Sequence, residues 1–183
     1  MKKIVFLGDS ITAGFKQISN EEHILNLAVG GNKTTETMPL IKQTRVFQPD
    51  KVFLMIGIND ILCNERYFDH GYTIPIYKTY DTIIDMLRMN LPRAEIYLIT
   101  TLPIRERGDV INEALVKRVN RQILILNEYI VTRAKAYQCK VIDLHSKFID
   151  SDNKLNKNYT IDGIHLSEEG YEIFYSNVKP YFV

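Results

Sequence analysis

Cysteine is scarce in this chain: Cys63 and Cys139 stand far apart and without metal-ligand spacing. Two such residues make no disulfide framework, and a pair of reduced cytoplasmic thiols is the simplest reading. An excess of charge of one sign is missing too. Lysine and arginine number 23 against 22 acidic residues, for a formal charge of +1. With the basic residues scattered, there is no footprint for nucleic acid and no field toward an anionic membrane. Long apolar runs are absent, and none approaches the ~20 residues of a membrane span. The opening "MKKIVFLG" imitates a secretory leader. Its apolar run, Ile4–Leu7, is far shorter than the roughly 7–15 residues of a signal core, and no small-residue cleavage site follows. The expectation is a soluble, unexported, cytoplasmic protein.

What remains is ordinary globular composition, 45% apolar and 25% charged over 183 residues. That is enough chain for one domain, 1–183, around a single substantial core. There is no repeat, low-complexity tract or linker. Five short apolar, β-branched runs read as strands covered on both faces: "KIVFLG", "HILNLAV", "KVFLMIG", "EIYLIT" and "CKVIDL". Amphipathic segments lie between them. "TTETMPLIKQTRVF" stops before Pro49 and "IYKTYDTIIDMLRMN" before Pro92. The longest places Leu115, Val119, Ile123, Leu126, Ile130 and Ala134 on one stripe. A last helix runs from about Glu168 to Val178, with Ser167 as its N-cap. Pro39, inside the first of these segments, predicts a late start or a kink.

Alternating strands and helices imply a parallel sheet with right-handed crossovers. The class expected is α/β, a three-layer flavodoxin-like sandwich with strand order 2-1-3-4-5. Ligands in such sheets bind beyond the carboxyl ends of the strands, at the switch point. The segments that matter there are "GDSITAG", "GGNKT", "GINDI" and a C-terminal loop, "TIDGIHLSEEG". Serine is a poor nucleophile unless a general base, itself oriented by a third group, activates it. Ser10 meets that need if His165 is the base and Asp162, three residues earlier, accepts the imidazole Nδ1–H. Acyl transfer also needs donors for the developing oxyanion, and the Ser10 N–H, a backbone N–H in "VGGNKT" and the Asn59 amide are candidates.

The blocks "FLGDSITAG", "NLAVGGNKT", "MIGIND" and "DGIHLSEEGY", in this order, resemble those of the SGNH hydrolase superfamily, or GDSL-type esterases and lipases. The likeness runs from residue 5 to about 175, and the mid-chain "VNRQILILNEYI" is similar to the small bacterial acyl-esterase branch. The resemblance implies the flavodoxin-like fold and hydrolysis of an ester or thioester without cofactor or metal. It assigns Ser10, Gly31, Asn59 and His165 as the name-giving residues, with Asp162 completing the triad and Gly31 as the block-two glycine.

Other residues have duller readings. Asp9 and Asp60 brace their loops. His145, two residues after Asp143, is the rival base, but its place beyond the fifth strand suits a structural histidine. Tyr67, Phe68 and Tyr72 either line a substrate pocket or pin a long loop. Arg105 and Arg107 are candidates to engage a polar or anionic substrate group. The function expected is a serine esterase acting on a small acyl ester, such as an O-acetyl group on a sugar or small alcohol. Alternatives are a lysophospholipase or thioesterase of the same kind, a non-catalytic carbohydrate- or partner-binding module, and a metal-dependent phosphoesterase using Asp9, Asn59, Asp60 and His165. Oligomeric state is not readable from the sequence.

Overall fold

A computed structural model describes residues 1–66, 76–108 and 110–183. All five apolar runs form strands: β1 (Ile4–Gly8), β2 (Ile24–Asn26), β3 (Lys51–Met55), β4 (Glu95–Ile99) and β5 (Lys140–Ile142). They pair in parallel in the order β2-β1-β3-β4-β5, the expected flavodoxin-like arrangement. Strands β1 and β3 are buried along their whole length, which is why they read as unbroken apolar runs.

Side-chain alternation divides the core between the two faces of the sheet. Val5, Leu7, Val52, Leu54, Ile96 and Leu98 face one side. There they pack under α2 (Thr34–Phe47), α3 (Ile58–Arg66), α4 (Ile76–Asn90) and α5 (Glu113–Ala136). Phe6, Phe53 and Tyr97 face the other side and stack across three strands, with ring centroids 4.8 and 4.7 Å apart. Over them lie α1 (Ser10–Ala13), α6 (His145–Phe148) and α7 (Glu168–Val178), contributing Ile11, Phe148, Phe174 and Val178.

The expected stripe of α5, from Leu115 to Ala134, is buried throughout. Ser167 caps α7, accepting the Gly170 N–H at 3.1 Å. Pro39 neither delays nor ends α2, which begins at Thr34 and runs through it. The proline is exposed, so the carbonyl it leaves without a helical partner, one turn earlier, can be met by water.

Candidate active site

Ser10 emerges where β1 ends. Asp9 caps α1, its carboxylate accepting the Ile11 N–H at 3.0 Å, and Ser10 is the first helical residue. Asp9 is buried, and loss of water pushes its carboxyl up to about 7, against the pull of the Ile11 N–H and the His165 ring. From α7, the Tyr171 hydroxyl donates to the Ile11 carbonyl at 2.9 Å, tying the turn of Ser10 to the C-terminal helix.

The loop ahead of α7 brings in His165. Its Nε2 lies 3.0 Å from Ser10 Oγ, and its Nδ1 lies 2.8 Å from Asp162 Oδ2. The second carboxylate oxygen, Oδ1, accepts the backbone N–H groups of Ile164 and His165 at 3.0 and 2.8 Å. Partial burial alone would push the Asp162 carboxyl up. The imidazole and the two backbone donors outweigh it and hold the carboxyl below its usual range. Asp162 therefore stands ionised opposite Nδ1, leaving Nε2 toward the serine.

Two features keep that loop tight. Thr160 Oγ1 donates to the His165 carbonyl at 2.7 Å and accepts the Gly163 N–H at 2.8 Å. Gly163 sits at φ +88°, and a Cβ there would come within 2.4 Å of the Arg105 carbonyl oxygen. Only glycine fits both the conformation and the contact.

Opposite, the loop after β2 and the start of α3 meet. Gly31 adopts φ +81° in an exposed turn, and a Cβ on Gly30 would lie 3.8 Å from the Ser10 Cβ, so this turn runs beside the serine. Asn59 Nδ2 donates one hydrogen to the Asn32 carbonyl at 3.0 Å, binding α3 to the same turn. Asp60 accepts from the Thr34 N–H and hydroxyl, the brace the sequence suggested.

The remaining candidates separate. The rival His145 is held at the end of β5, its N–H bonded to Thr100 Oγ1 at 2.9 Å, while Asp143 accepts from Thr100 and Ser146. Arg105 is not free for substrate: it donates to the Leu155 carbonyl at 2.6 Å and pairs with Asp150. Arg107 is different, with a largely exposed guanidinium 3.6 Å from Asp162 Oδ2. Tyr67, Phe68 and Tyr72 lie outside the described residues. Among the described residues no three His, Cys, Asp or Glu side chains group as a metal site, and no helix is long and apolar enough to cross a membrane. A cleft between the stretch that follows α1 and the strand β2, lined by residues from Ala13 to Ser19 and by Ile24, Asn26 and Ala28, includes neither Ser10, Asp162 nor His165.

Sequence reasoning missed what fastens the loop after β4. Asn127 on α5 accepts the Thr101 N–H at 2.8 Å and donates to the Thr101 carbonyl at 2.9 Å. Asn120 repeats that double clasp on Ile104, at 2.8 and 3.0 Å. The signal was present as two asparagines seven residues apart, close to the apolar stripe.

Residues 6–173 match the model of the GDSL-like Lipase/Acylhydrolase family. The chain belongs to that family. Within it, the four sequence blocks stand together at the carboxyl edge of a GDSL fold. An N-acylneuraminate cytidylyltransferase of Escherichia coli O18:K1:H7 is 28% identical over 167 residues, covering 87% of this chain and 35% of that protein. The chain thus spans about a third of that relative's length. A GDSL esterase/lipase of Arabidopsis thaliana is 26% identical over 209 residues, covering 98% of this chain and 85% of its own. An acetyl xylan esterase shares the fold with a TM-score of 0.76 at 21% identity, covering 98% of this chain and 99% of that one.

Proposed function

We propose that this GDSL-family chain is a serine esterase that removes a short acyl group, acetyl being the best fit, from a sugar or small alcohol. The observation that carries the reading is the unbroken relay from Ser10 Oγ through His165 to Asp162, at 3.0 and 2.8 Å.

The imidazole Nε2 takes the Ser10 proton as Oγ attacks the ester carbonyl carbon. Asp162 fixes the ring's tautomer and stabilises the imidazolium that forms. The carbonyl oxygen becomes an oxyanion and needs fixed donors. As the first residue of α1, Ser10 has an N–H with no carbonyl partner within the helix. Gly31 lies in the turn beside the serine, and Asn59 Nδ2 keeps a second hydrogen after serving Asn32. These three supply the oxyanion hole. The imidazolium then protonates the leaving alkoxide, and water, activated by the same nitrogen, attacks the acyl-serine to release acid. Apart from the ester and water, the reacting groups are those of the chain itself.

Two likenesses support a short acyl group. One relative in fold is an acetyl xylan esterase, and a stretch like this chain occurs in an enzyme named for an N-acylated sugar. A fluorophosphonate probe is expected to label the wild type at Ser10 and to leave Ser10→Ala unmarked. Labelling at another residue, or none in folded protein, overturns the reading. A chromogenic ester series of rising acyl length then separates the acetylesterase from the lysophospholipase alternative, which requires an optimum at long chains.

A further inference from the structure

The loop after β4 carries Arg107 to the edge of the triad and holds it there. The Arg105 N–H donates to the Gly163 carbonyl at 2.8 Å, and the Arg107 N–H donates to the Ile111 carbonyl at 2.9 Å, closing a turn. The backbone around Arg107 is therefore joined to the loop of Asp162 and His165, and Asn120 clasps the same loop at Ile104.

Its side chain is positioned but hardly spent. Arg107 Nη1 stands 3.6 Å from Asp162 Oδ2, beyond hydrogen-bonding range, and that oxygen already faces His165 Nδ1 at 2.8 Å. The guanidinium side chain is 59% exposed. An exposed pair at such a distance contributes little to stability. The contrast with its neighbours is instructive. Arg105 is engaged by Asp150 and Leu155, and Glu106 by Lys154, so their charges are matched by the segment that follows α6.

We propose that Arg107 anchors an anionic group, a carboxylate above all, on the alcohol part of the substrate, so that the esters this site prefers are anionic ones. The inference rests on the serine-esterase reading and adds a substrate class to it. A guanidinium presents five donors in a planar fork that matches a carboxylate with two parallel hydrogen bonds. Asp162 cannot offer that match, because one of its oxygens serves two backbone N–H groups and the other serves the imidazole. A substrate carboxylate therefore draws the fork from a loose contact to a bidentate one. The ester is held at the mouth of the site, with Asp162 and His165 between its anchor and the reacting serine.

The test compares two aryl acetates, 4-acetoxybenzoate and its neutral methyl ester, in the wild type, Arg107→Gln and Arg107→Lys. The quantity read is the ratio of kcat/KM for the anionic ester to that for the neutral one. A charge-assisted, partly exposed contact predicts a fall in this ratio of about tenfold in Arg107→Gln, mainly through KM. Arg107→Lys retains the charge and loses the fork, so part of the ratio returns. In the wild type the ratio also falls as salt is raised. An unchanged ratio in Arg107→Gln overturns the anchor while leaving the esterase standing, as does an equal loss on both esters, which would make Arg107 a positioning residue for Asp162. Failure of the wild type to turn over either ester overturns the esterase reading and the anchor with it.

Discussion

At the scale of single residues, the carboxylate facing the imidazole has no oxygen to spare. Asp162 uses both oxygens, one on backbone N–H groups and one on the imidazole. Asp162→Asn preserves the shape but presents Nδ1 with an amide that can turn either donor or acceptor toward it. The tautomer is then no longer enforced, and kcat should fall by about 10³–10⁴-fold. Steady-state turnover of a chromogenic acetate checks this, with circular dichroism showing that the fold persists. That Ser10, His165, Asp162 and Asn59 would come to one edge of the sheet was legible in the sequence, because each sits in a block whose local grammar betrays it. Arg105 was not, because its partner Asp150 lies 45 residues along the chain. Nothing local marks which of two nearby arginines will be consumed by structure.

At the scale of elements, strand and helix periodicity carried most of the fold. Continuous apolar runs marked β1 and β3, and a single stripe marked α5. What periodicity could not show was how a helix holds a loop. Asn127 imitates a neighbouring strand, offering an acceptor and a donor to one peptide unit of Thr101 in a buried setting. Asn127→Ala leaves that N–H and carbonyl without partners. Two unsatisfied backbone groups should cost roughly 2–4 kcal/mol, read as a lowered midpoint in urea denaturation with little change in slope. An unchanged midpoint would mean that the clasp carries no stability. Pro39 does not delay α2 for a related reason: an exposed face of the helix lets solvent satisfy what the proline removes.

At the scale of the whole molecule, the buried Asp9 makes stability depend on pH. Its carboxyl has an ordinary value of 3.8 and is pushed up to about 7 in the fold, chiefly by burial. Between those values the folded chain keeps a proton that the unfolded chain has released. Stability from this residue is therefore intact below about 4, declines as pH rises toward 7, and is flat above. Asp9→Asn keeps an oxygen to cap α1 and carries no charge. Its melting temperature relative to the wild type should climb from pH 4 to 7 and then level off. A difference that stays constant across that range would show that Asp9 is ionised throughout.

The hydrogen bond between Ser10 and His165 joins residues 155 positions apart, from the first helix to the loop before the last long one. Most of the chain must therefore be made, folded and wound into five strands before the serine meets its base. In the proposed esterase, a growing or partly unravelled chain carries Ser10 without the imidazole that would activate it. On that reading the distance in sequence acts as a safeguard in time: the proposed chemistry switches on only when the architecture is complete.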